Sequence, residues 1–224
     1  AAARKQVGVT VTYDPAYVSL AYPDGDVPKD RGVCTDVLVR ALRTGLAMDL
    51  QKLVHEDMRG HFAAYPKTWK LSRPDRNIDH RRVPNLKRLF VRIGAELPLS
   101  DGPTPYLPGD IVTWTLPGNL SHMGIVSDRL GPDGSPLILH NIGAGAKEED
   151  ILFAYPMTGH YRIGADQAAR LKSLTLGRVS FHERKYGDIP VSCSHRDADP
   201  AILTDGDQFN LFGFRLAAPL PASR

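Results

Sequence analysis

At 224 residues, with 42% hydrophobic and 24% charged side chains, the chain is long enough for one domain with a full core and has an ordinary globular composition. A formal net charge of +3 is too small to imply nucleic-acid binding by itself. No apolar run approaches the about 20 residues of a membrane span, and two cysteines, Cys34 and Cys193, allow at most one internal disulfide.

The chain opens Ala1-Ala2-Ala3. Small residues suit the surroundings of a signal-peptidase site, so the expectation is an exported mature chain, periplasmic or extracellular. Residues 7 to 13 alternate loosely and predict a short strand or extended lead-in. The turn-rich stretch Tyr22-Pro23-Asp24-Gly25-Asp26-Val27-Pro28 then delivers the chain to Cys34. A helix is expected from about Thr35 to Thr44, ending near Gly45, with Val37, Leu38, Ala41 and Leu42 inward and Arg40 and Arg43 towards solvent. Cys34 sits at its start, where the helix dipole favours thiolate and lowers the thiol pKa.

A second helical pattern runs from Asp49 to about Phe62, with Leu50, Leu53, Val54 and Met58 inward. Its His55, Glu56, Asp57 and His61 lack the paired-histidine spacing of a zinc helix and read as a solvated face. Residues 72 to 92 carry a dense basic cluster, read either as a plain solvated loop or as a carboxylate-binding patch. Pro84 suits the first turn of a helix through Leu86, Leu89, Phe90 and Ile93.

From Tyr106 the pattern changes to strands: 111–116, 121–127 and 136–142, with a hairpin signal at Gly131-Pro132-Asp133-Gly134 and a closing strand near 159–163. Helices first and an antiparallel meander second is the order of an α+β domain. Residues 171–224 show no sustained period and are expected to be an irregular extension. Cys193 and His195 lack the second ligand pair of a zinc site, and no metal or cofactor is called for.

Nucleophilic thiol chemistry needs a thiol, an imidazole and a third polar group that orients the imidazole. Cys34 at a helix start, His122 on one strand and His140 on the next supply all three, if the helix packs across the face that carries both histidines. Asn141 is the alternative orienting residue.

Cys34 opening a helix, Pro108-Gly109-Asp110-Ile111-Val112, His122-Met123-Gly124-Ile125-Val126 and Leu139-His140-Asn141 resemble the NlpC-type papain-like cysteine peptidases. Those bacterial enzymes mostly cut peptide bonds in peptidoglycan stems. More narrowly, Gly25-Asp26-Val27-Pro28, Gly32-Val33-Cys34-Thr35-Asp36 and Asn77-Ile78-Asp79-His80-Arg81-Arg82-Val83-Pro84-Asn85-Leu86 resemble the bacterial domain of unknown function 1287 family. The likeness covers roughly residues 10 to 163. It implies a papain-like core over residues 1–170, interrupted by a helical and basic insertion at 46–105. It also implies Cys34 as nucleophile, His122 as general base and acid, His140 as the orienting residue and Tyr22 as an oxyanion donor. Where that clan commonly has an Asp before the Cys and Ser-Gly after it, this chain has Val33 and Thr35-Asp36.

The expected activity is therefore hydrolysis of an amide bond, most simply in peptidoglycan or another peptide, with Asn77, Asp79, His80, Arg81 and Arg82 meeting the substrate. The rival expectations are a non-catalytic wall-binding module of the same fold and a thiol acyltransferase. A Cys34–Cys193 disulfide or a buried, unreactive thiol would favour the module.

Overall fold

The computed structural model describes residues 1–102 and 105–176, all within one unit, Ala1–Val179. The architecture is mixed α+β. A two-residue strand β1 (Thr12–Tyr13) pairs in parallel with β2 (Arg31–Gly32), setting Tyr13 opposite Gly32. Helix α1 (Cys34–Leu46) follows at once, then α2 (Leu50–His61), α3 (Val83–Arg92) and β3 (Glu96–Leu97). The meander is β4 (Ile111–Leu116), β5 (Leu120–Leu130), β6 (Pro136–Asn141), β7 (Ala146–Glu149) and β8 (Met157–Tyr161), and α4 (Ala165–Leu176) comes last. The large sheet runs β3-β8-β4-β5-β6-β7 and every pairing in it is antiparallel.

Side chains alternate across a strand, and this sheet uses both faces. Ile111, Met123, Ile125, Leu139 and Tyr161 face the helices and join Val37, Leu38, Leu53, Val54, Leu86, Leu89 and Phe90 in the main core. Val112, Trp114, Val126 and Ile138 point the other way, into a smaller core with Tyr106 and Leu152. The helices form where the periodicity places them, with local capping. The Asp49 side chain accepts from the Gln51 N–H at 3.0 Å to start α2, and Pro84 lies in the first turn of α3.

Three expectations change. Arg40 is not a solvent-facing residue but is 8% exposed. Its guanidinium holds Asp26 at 2.9 Å, the Val27, Pro28 and Arg31 carbonyls and the Thr10 hydroxyl, so the loop leading to Cys34 is wrapped onto α1. Asp57 of α2 is also buried, bridging Arg92 of α3 at 2.6 Å and the Tyr65 hydroxyl at 2.6 Å. Residues 171–176 complete α4, with Leu171 buried in the main core, so the irregular extension does not start at 171. Its remainder, including Cys193 and His195, lies outside the described residues.

Candidate active site

The first turn of α1 is fixed from two directions. Asp36 reaches back to accept the Val33 N–H at 2.7 Å, and Gly32 permits this because a Cβ there would lie 2.9 Å from the same carboxylate oxygen. Asn141 donates to the Gly32 carbonyl at 2.9 Å and so ties the end of β6 to the residue two before Cys34. Asn141 is thereby committed to the backbone and does not orient His122.

That task falls to His140. The His122 Nε2 and His140 Nδ1 atoms lie 3.2 Å apart, and the two rings meet edge to face. His140 Nε2 in turn lies 3.0 Å from the Glu149 carboxylate on β7. Trp114, cross-strand from His122, stacks on its ring with centroids 5.8 Å apart. Gly124 makes the arrangement possible: a Cβ there would fall 2.5 Å from Ile138 and 3.2 Å from the His140 Cβ.

The helix does not pack across the histidine face. Strand alternation puts His122 and His140 on the side of Trp114 and Ile138, whereas α1 covers Met123, Ile125 and Leu139. Cys34 instead reaches the strand itself. The β5–β6 register is set from Ile125↔Leu139 onward, and the Met123 amide, two residues short of that pair, favours the Cys34 thiolate. The Cys34 thiol is thus linked to the residue after His122, from the helix side of the sheet. Among the described residues no hydrogen bond joins thiol and imidazole directly, which is common in substrate-free sites.

The electrostatics also depart from the expectation of a lowered thiol pKa. Cys34 is free and buried, and burial pushes its thiol up to about 11, with the Asp36 charge adding to the rise. The amide N–H groups of Met123, Thr35 and Cys34 itself act downward without cancelling that cost. Burial likewise pushes His122 down to about 3 and lowers His140, against a smaller upward pull from Glu149. The directions of these shifts favour a neutral thiol and neutral imidazoles at neutral pH.

Tyr22 lies elsewhere. Its hydroxyl donates to Glu56 of α2 at 2.9 Å, and its ring packs on His55 and beneath Arg76. The tyrosine that feels the Cys34 charge is Tyr13, whose phenol is pushed up by partial burial and then by that charge. Its hydroxyl makes no hydrogen bond among the described residues.

The basic segment is a brace. Arg81 is 7% exposed and clamps Asp36 through Nε at 3.1 Å and Nη2 at 3.0 Å. Nη1 donates to the Ala16 carbonyl and Nη2 also to the Asp14 carbonyl. Arg82 pairs with Asp79 at 2.9 Å and lies over the Trp69 ring. Asn77 bonds the Leu20 N–H and the Tyr17 hydroxyl, and His80 is buried at 2% exposure. These residues anchor the first turn of α1 and its approach loop; of the five expected to meet substrate, Asp79, His80 and Arg81 are buried and Asn77 and Arg82 are partly exposed.

Glu149 and Tyr13 escaped the sequence reading. The segment Ala146-Lys147-Glu148-Glu149 has no apolar alternation to mark a strand, and nothing local to Tyr13 announces its pairing with Gly32.

The domain of unknown function DUF1287 matches residues 1–163. The "Uncharacterized protein YijF" of Escherichia coli (strain K12) is 61% identical over 160 residues, which is 71% of this chain and 78% of that protein. With the family pattern spanning the helix, the brace and both histidine strands, the chain belongs to the family of the domain of unknown function 1287.

Proposed function

We propose that the chain is a cysteine hydrolase of the NlpC-type papain-like kind that cleaves an amide bond in peptidoglycan stem peptides. The observation that carries this reading is the buried His122–His140 pair on the strand whose next residue, Met123, acts through its amide on the Cys34 thiol. His122 takes the thiol proton as sulfur attacks the amide carbonyl. The resulting oxyanion meets the backbone N–H groups at the start of α1 and the Tyr13 hydroxyl. His122 then gives the proton to the leaving amine, and water releases the acyl group from Cys34. A neutral imidazole beside a neutral thiol suits this general-base route, since the base must be unprotonated before attack. A peptidoglycan substrate sets the place of action in the cell envelope.

The test is Cys34→Ala assayed on peptidoglycan fragments, with products identified by mass spectrometry. Loss of cleavage is the expected result, and undiminished cleavage overturns the reading. The same products separate hydrolysis from acyl transfer. A second reading, a wall-binding module without catalysis, draws on the burial of Cys34, which is only 5% exposed. It expects fragments to bind uncut by the unaltered protein.

A further inference from the structure

We infer that Glu149 is a positioning residue that fixes the tautomers of both histidines and so leaves His122 Nδ1 unprotonated as the base. The inference rests on the hydrolase reading for its purpose, but its geometry stands alone. A carboxylate only accepts hydrogen bonds. The 3.0 Å contact from His140 Nε2 to Glu149 Oε2 therefore places a hydrogen on His140 Nε2. A neutral imidazole carries one N–H, so His140 Nδ1 is an acceptor. At 3.2 Å from it, His122 Nε2 must be the donor. That leaves the lone pair of the neutral His122 ring on Nδ1.

The alternative tautomers fail in turn. A hydrogen on His140 Nδ1 would face Glu149 with two acceptors and no proton between them. It would also oblige His122 to accept at Nε2 and carry its hydrogen on Nδ1, where it is useless as a base. One carboxylate thus sets the proton positions on two rings, through a chain that crosses β7, β6 and β5. Glu149 suits this role because its side chain is 37% exposed and its second oxygen meets Lys147 at 3.2 Å, so its charge is not itself a buried burden. His140 is fully buried and depends on this contact for its Nε2 partner.

The test is histidine tautomer assignment by long-range proton–nitrogen NMR on the full chain, run beside the rate of Cys34 alkylation by iodoacetamide at pH 7. In the unaltered protein both His122 and His140 should show the Nε2–H pattern. Glu149→Ala removes the acceptor, so both rings should populate Nδ1–H and alkylation should slow by roughly tenfold, part of the roughly hundredfold or more that a positioned base supplies. Glu149→Gln keeps an acceptor oxygen and should retain the Nε2–H pattern. Unchanged tautomers in Glu149→Ala would overturn the inference, as would a Nδ1–H pattern on His122 in the unaltered protein. Failure of the hydrolase reading shows separately, as correct tautomers in a protein that cleaves no peptidoglycan.

Discussion

Around Arg81 all three nitrogens are engaged: Nε and Nη2 clamp Asp36, Nη2 also takes the Asp14 carbonyl and Nη1 the Ala16 carbonyl. Around His122 the same accounting leaves one ring nitrogen over, because Nε2 is spent on His140 and Nδ1 is not. Both clusters are buried and both are polar. They differ in whether their hydrogen-bonding capacity is exhausted. A spent cluster can only hold the structure in place, whereas the proposed hydrolase puts the free lone pair of the other to use as a base.

The sharpest way to break that contrast is to delete each side. Cys34→Ala or His122→Ala should lower peptidoglycan cleavage by on the order of 10³-fold or more while leaving the fold intact, as read by product formation and thermal unfolding. Arg81→Met should do the reverse. It strands the buried Asp36 charge and should cost about 3–5 kcal/mol in urea unfolding, with activity per folded molecule retained. A raised KM at undiminished stability would instead restore Arg81 to the substrate.

Acid should act through the buried histidines. His80 is held near 4 and His122 near 3 by burial, both below the ordinary histidine value. Between those values and about 6.5 the unfolded chain binds the protons that the folded one refuses, so stability falls as pH drops through this window. Each such histidine contributes a slope of up to about 1.4 kcal/mol per pH unit. Urea midpoints at pH 7 and 5 should show the loss, and His80→Gln should reduce it by one histidine's share.

The smallest effects separate the two tyrosines. Tyr13→Phe should slow cleavage by roughly tenfold through loss of an oxyanion donor. Tyr22→Phe should leave the rate unchanged and cost about 1 kcal/mol through its bond to Glu56. Equal effects on rate would remove Tyr13 from the site.

How much of this could be read from the chain follows from the range of the forces involved. Helices α1 to α3 and the β5–β6 hairpin were legible because their apolar periods and turn residues are local. His122 and His140 were legible as a pair because successive antiparallel strands place them together. Arg40 was misjudged because its partners are the loop carbonyls of Val27, Pro28 and Arg31, which only the tertiary wrap brings to it. The pairing of Arg81 with Asp36 was hidden for a similar reason: a guanidinium shows its charge in the sequence but not the buried carboxylate it meets. Glu149 lies on a four-residue strand without apolar alternation, and Tyr13 reaches Cys34 through a two-residue parallel pairing. Neither leaves a local trace.

The central claim, that His122 serves the Cys34 thiol as its base, is tested most directly by following iodoacetamide labelling of Cys34 against pH in the unaltered protein and in His122→Gln. The account expects labelling at neutral pH that falls by roughly tenfold or more in the variant. Equal rates in the two proteins, rising only as the buried thiol titrates near 11, would contradict it.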